Sequence, residues 1–145
     1  MRLLPFLLAF GLCGSAMADE APVGYIKTVA GEATVVSGGA AKRAEVGSPV
    51  YIGSVLRTGA KSTLGLTFRD ETVMSCGPDT ELTVDEYLFA PAAGKLKLGS
   101  KLAKGSLNYV SGVIAKLQPA AVSIKTPTGT IGVRGTQFVV RVEEE

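Results

Sequence analysis

Cys76 is the only thiol beyond residue 13, and no histidine occurs anywhere in the 145 residues. Without imidazole, the usual general acid–base group and the commonest metal ligand are both missing. Cys–His hydrolases, Ser–His–Asp triads and histidine-containing zinc sites are therefore excluded, and a single cysteine cannot build a thiolate zinc site. Cys76 closes a short strand-like run after Met74 and Ser75. It reads as a small buried hydrophobe, with a reactive or intermolecularly paired thiol as the alternative. The acidic pairs Asp79/Glu81 and Asp85/Glu86 could contribute to a calcium site, but no complete loop of oxygen ligands surrounds them. Solvated acidic turns are the expectation there. Gly59-Ala60-Lys61-Ser62-Thr63 matches a phosphate-binding loop only in part, because Ala60 separates glycine from lysine and the upstream glycine is missing. The run Gly129 to Gly135 also departs from the dinucleotide fingerprint, which opens a helix with its first two glycines two apart. The chain is thus expected to have no catalytic residue, no metal and no cofactor, and not to be an enzyme.

The elements that must position these residues begin with a leader. Met1-Arg2, an apolar run from Leu3 to Cys13 and Ala16-Met17-Ala18 make a secretory signal peptide over residues 1–18, cleaved after Ala18. Leu12 is too bulky before Cys13 for a lipid-attachment site, and the apolar run is short of the roughly 20 residues of a spanning helix. Export to the periplasm or the exterior follows, with no transmembrane segment after cleavage. The 127 residues from Asp19 onward hold 14 basic and 13 acidic side chains, enough chain for one domain with a modest core. The single remaining cysteine excludes an internal disulfide framework.

Charge is unevenly spread. Residues 19–86 carry 10 acidic and 6 basic side chains, residues 87–142 carry 8 basic and no acidic ones, and Glu143 to Glu145 form an acidic tail. Lys95, Lys97, Lys101 and Lys104 are the candidate binding face of the basic half, for an anionic glycan such as peptidoglycan or for lipid head groups. The alternative is that the acidic half packs beside it and cancels the field. Nucleic acid is not expected as a partner, because export removes it and only Tyr87, Phe89, Tyr109 and Phe138 supply aromatics in that half.

Apolar residues alternate nearly everywhere, so the fold class is all-β. Tyr25 to Val29 and Glu32 to Val36 read as a hairpin-like start, within an N-terminal strand segment, residues 19–46, that leads into the domain. Gly47, Gly53, Gly59 and Gly65 recur at intervals of six, which suits short rungs turning at glycine. Thr63 to Phe68, the turn Arg69-Asp70-Glu71 and Thr72 to Cys76 make the clearest hairpin. Ala90-Pro91-Ala92-Ala93-Gly94 is a loop, and the alternation in Lys95-Leu96-Lys97-Leu98 puts its lysines on one face and its leucines on the other. Ser111 to Leu117 could form a helical turn or continue the sheet, and Gln118-Pro119 ends it. A compact β-solenoid-like or β-sandwich stack of short glycine-cornered strands, with at most one short helical turn, is the expected architecture.

The stretch Ser123 to Val142 closes the chain. Two strand-like runs flank a core in which Pro127 fixes φ and Gly129, Gly132 and Gly135 recur every three residues. Arg134, the only charge of that core, is expected to satisfy backbone carbonyls or a nearby acidic side chain, as a structural pin. Thr126-Pro127 followed by Ile131-Gly132-Val133-Arg134-Gly135-Thr136-Gln137-Phe138 resembles the signature of the FecR domain family. Gly53 to Gly59, Leu64 to Glu71, Gly77 to Leu82 and Lys104 to Gly112 agree with it, so the resemblance covers roughly residues 47–142. It implies a β-rich, non-catalytic, envelope-side module, best known as the outer part of transmembrane regulators that control a sigma factor. Thr126, Pro127, Gly132, Arg134, Gly135 and Thr136 are its structural signature. In those regulators a cytoplasmic anti-sigma segment and a membrane helix precede the domain. Here the leader is expected to run almost directly into strands, which makes sigma-factor control in cis an analogy of fold. The expectation is a binding module for an envelope protein, acting through a strand edge such as Lys95 to Leu98, with the anionic polymer as the alternative partner.

Overall fold

The computed structural model describes residues 21–133 and 135–142. The leader, Arg134 and the tail Glu143 to Glu145 lie outside the described residues. Alternating aliphatic and polar side chains make the chain extended along most of its length. The strands are β1 (Gly24–Ala30), β2 (Ala33–Ser37), β3 (Ala40–Arg43), β4 (Pro49–Val50), β5 (Val55–Thr58) and β6 (Thr63–Phe68). They continue as β7 (Val73–Cys76), β8 (Glu81–Ala90) and β9 (Lys95–Val110); after helix α1 (Val113–Leu117) come β10 (Val122–Thr126), β11 (Gly129–Gly132) and β12 (Gln137–Val142).

β9 is 16 residues long and belongs to both arms of the sheet. Its first part lies between β8 and β10, and its last part between β7 and β12. One arm therefore runs β3-β2-β5-β8-β9-β10-β11 and the other β4-β1-β6-β7-β9-β12. Neighbours are antiparallel except β9 and β10, which are parallel. Gly105, with φ of +91°, marks the passage between arms, and a Cβ there would run into Thr80 of the loop before β8. The sheet is open and curled, and both arms turn apolar faces to one core. Ile26, Leu64, Leu66, Met74, Leu107 and Tyr109 come from one arm, and Val35, Leu56, Leu82, Leu98, Leu102 and Ile124 from the other. Burial of each such side chain contributes roughly 1.5–3 kcal/mol.

The all-β class holds, as does the hairpin of β6 and β7, with Leu64 opposite Cys76 and Thr67 opposite Val73. Three details of the sequence reading change. First, β1 and β2 do not form a hairpin: β1 pairs with β4 and β6, β2 with β3 and β5. Gly31, at φ +79°, sends the chain from one arm to the other, so Ile26 and Val35 reach the core from opposite arms. Second, the six-residue glycine spacing does not make stacked rungs. Gly65 lies inside β6, where the close approach of Thr28 on β1 leaves no room for a side chain. Third, short helical turns number three among the described residues: α1 and 3-10 turns at Pro91–Ala93 and Pro119–Ala121. Each 3-10 turn opens on a proline, whose fixed φ suits a first helical position. Among the described residues no helix is long and apolar enough to cross a membrane.

Candidate functional site

The first part of β9 displays its lysines on the outer face of its arm. Lys95, Lys97 and Lys101 alternate with buried Leu98, Ser100 and Leu102. A register shift between Glu81 and Leu82 of β8 sets Ala103 out of the pairing, so that Lys104 faces Glu81 while Leu102 faces Leu82. Lys104 is thereby returned to the outer face, and all four predicted lysines are exposed there. The cross-strand register adds three cations. Lys125 of β10 stands beside Lys101. Arg57 of β5 faces Glu81, and Arg43 of β3 faces Thr34, which in turn faces Arg57. An open hollow of about 470 Å³ between Glu32, Thr34, Arg43, Arg57 and Thr58 continues the face at that end.

Acidic side chains offset part of this charge. Glu81 Oε1 lies 2.7 Å from Arg57 Nε, and Glu86 Oε2 lies 3.1 Å from Lys97 Nζ. These are the two ion pairs among the described residues, and they leave Arg43, Lys95, Lys101, Lys104 and Lys125 without a paired carboxylate there. Sequence reasoning missed Arg43 and Arg57, which belong to the acidic half of the chain. Only the alternation in Val55-Leu56-Arg57-Thr58 signals that Arg57 points outward while Leu56 and Thr58 are buried.

The edge expected at Lys95 to Leu98 is short. Those residues pair with β8, and from Leu98 onward β10 covers the other side. A longer open edge belongs to β12, which pairs with β9 alone among the described strands and exposes Val139 by 65%.

The described signature residues fall in two places, the β10–β11 hairpin beside the first part of β9 and the segment that bonds Ser111 just beyond its end. Thr126 and Gly129 face each other, so Pro127 and Thr128 make a two-residue turn between β10 and β11. The Thr126 hydroxyl donates to the Gly129 carbonyl at 2.9 Å. Gly132 lies opposite Ser123. The Gly135 carbonyl accepts from the Ser111 hydroxyl at 3.1 Å, and the Thr136 carbonyl accepts from the Ser111 amide at 2.8 Å. The predicted pin, Arg134, is outside the described residues.

A second centre was not legible beforehand. Asp70, read as a turn residue, is 1% exposed. Its carboxylate accepts from the Thr72 amide at 3.3 Å, the Thr72 hydroxyl at 2.8 Å, the Tyr87 hydroxyl at 3.1 Å and the Ile114 amide at 3.0 Å. Its carbonyl accepts from the Val113 amide at 2.8 Å. The β6–β7 turn, β8 and α1 are thus tied to one side chain. Burial, and then the Asp70 charge, push the Tyr87 hydroxyl well above its ordinary pKa, so it stays a donor. Cys76 is buried against Leu64 and Leu107, and burial pushes its thiol up to about 12. It packs as a core hydrophobe, as the first of the two readings had it. Among the described residues no three His, Cys, Asp or Glu side chains converge as metal ligands.

Fold and surface together define a class: an all-β domain built as an open curled sheet around one core, with a cation-bearing outer face. The family model described as FecR protein matches residues 54–145, more than half of the chain, and the chain belongs to the FecR family. No curated protein and no solved structure matches it. Membership suggests a signalling-related regulatory domain of the envelope. Strands β1 to β4 precede the matched segment, yet β1 pairs with β6 and β2 with β5 inside it.

Proposed function

We propose that this is a non-catalytic, envelope-side binding module, exported by the leader at residues 1–18, that acts in signalling or envelope assembly by touching a protein partner. The observation that supports it is the edge of β12 left unpaired among the described strands, six residues whose only charge is Arg141. An unpaired strand edge of that kind is a template for a partner strand, with backbone hydrogen bonds supplying affinity. The test is capture of envelope proteins by the tagged chain and by Val139→Lys. A lysine on an exposed edge blocks strand pairing, and Val139 is exposed enough for the fold to accept it. Capture of one envelope protein by the parent chain and its loss in the variant are expected. Capture that Val139→Lys leaves unchanged would discard the edge as the contact.

A second reading, binding of an anionic envelope polymer, is favoured by a separate observation. Lys101 and Lys125 stand side by side on the outer face without a carboxylate between them among the described residues.

A further inference from the structure

Two like charges set directly opposite on neighbouring strands destabilise a sheet. Lys101 on β9 and Lys125 on β10 are such a pair, and both are exposed. Each has a hydroxyl on its other flank, Thr83 of β8 opposite Lys101 and Thr130 of β11 opposite Lys125. One row across four strands therefore reads Thr83, Lys101, Lys125, Thr130. The row next to it is almost bare: Gly99 on β9, Ser123 on β10 and Gly132 on β11. A shallow trough follows, floored by residues with little or no side chain and bordered by two ammonium groups. At its β8 end Glu86 already leans over Gly99, its carboxylate 3.3 Å from where a Cβ would stand, and is held by Lys97 at 3.1 Å. That end of the strip is therefore already occupied by a carboxylate, whereas Lys101 and Lys125 have none among the described residues.

From this juxtaposition we infer that Lys101 and Lys125, flanked by Thr83 and Thr130, form a docking strip for the anionic groups of a linear acidic polysaccharide lying across the strands. This rests on the polymer reading above. Ammonium groups meet the carboxylates or phosphates of such a chain, and threonine and serine hydroxyls suit its sugar hydroxyls. A membrane-docking face places large apolar side chains beside its cations, and these two rows are glycine, serine, threonine and lysine, with Glu86 at one end. Single-stranded nucleic acid requires aromatic stacking platforms. Tyr87 and Tyr109 are buried in the core instead.

The experiment measures binding of the purified protein to polygalacturonate, with uncharged dextran and phosphatidylglycerol vesicles as alternatives. Binding to polygalacturonate that falls steeply with salt is expected, and none to dextran. The double variant Lys101→Gln/Lys125→Gln should bind about tenfold more weakly. Lys27→Gln/Lys116→Gln, which removes the same charge from β1 and α1, should bind as the parent chain does. Glu86→Gln should bind more tightly, because it releases Lys97 and removes the competing carboxylate. Equal losses in the two double variants would reduce the effect to overall charge and overturn the strip. Preference for vesicles over the polymer would overturn the occupant. Binding of neither would overturn the polymer reading, while capture sensitive to Val139→Lys would still uphold the protein-contact reading.

Discussion

The two halves of β9 are one strand with opposite duties. From Lys95 to Lys104 its outer face is a row of exposed lysines, whose neighbours on that face are Thr83, Glu81, Glu86, the exposed Leu88 opposite Lys97, and small residues. From Gly105 to Val110 no charge occurs, Leu107 and Tyr109 are fully buried, and β7 and β12 close both sides. Tyr109 stacks on Phe138 of β12 at 4.9 Å between ring centroids. Beyond Val110 the chain is drawn under Asp70 through Val113 and Ile114. Gly105 separates these regimes. The outer face of the first half carries charges that contribute little to the fold, while its inner Leu98 and Leu102 join the core; the second half is uncharged and offers little surface.

Removing Asp70 is the largest test of that division. Asp70→Ala takes away the acceptor for the Thr72 amide and hydroxyl, the Tyr87 hydroxyl and the Ile114 amide, all in the interior. Stranding several buried donors should cost about 3 kcal/mol or more, a large share of the roughly 5–15 kcal/mol of a typical domain. A fall in the urea midpoint should be accompanied by faster exchange of the Val113 and Ile114 amides. Asp70→Asn keeps one acceptor oxygen and should lose less. An unchanged midpoint in Asp70→Ala would mean that the second half of β9 is held by strand pairing alone.

Much of the fold was legible because its signals are local. The β6–β7 hairpin, the two-faced lysine segment and burial of Cys76 each follow from alternation over a few residues. The parts that were not legible depend on pairings far apart in sequence. β1 and β2 read as a hairpin because only two residues part them, and nothing local says that Gly31 carries the chain to another arm. Asp70 sits in a turn where aspartate is ordinarily solvated. Its burial depends on Tyr87 and Ile114, 17 and 44 residues away. The candidate face was half visible. The lysines of β9 announce themselves, whereas Arg57 joins through β8 and Lys125 meets Lys101 only because β9 and β10 run parallel.

Alkaline pH tests the buried half by a different route. Cys76 lies opposite Leu107, and burial lifts its thiol from the usual 9.0 to about 12. A pKa raised by folding means that this stability is fully present below pH 9 and is lost as pH climbs toward 12. Burial raises the Tyr109 and Tyr87 hydroxyls in the same direction, so they add to the loss. The urea midpoint is expected to be flat from pH 7 to 9 and to fall above it, within the titration range cited. Cys76→Ala should start about 1 kcal/mol lower from lost packing and decline less steeply. Parallel pH profiles for the two proteins would show that the thiol has no share in the alkaline loss.

The smallest effect belongs to the lysine half. Changing Lys95, Lys97, Lys101 and Lys104 together to Gln should change the unfolding free energy measured in urea by no more than about 0.5 kcal/mol. The one ion pair lost, Lys97 with Glu86, joins side chains 51% and 53% exposed, and such pairs are worth little in water. Relief of the repulsion between Lys101 and Lys125 works in the opposite direction. The leucines of the same strand stay in place, so the core does not register the change. If the quadruple variant instead loses a kilocalorie or more, the outer lysines hold the sheet together through their apolar stems, and the outer face of β9 would share the work of folding with its buried leucines.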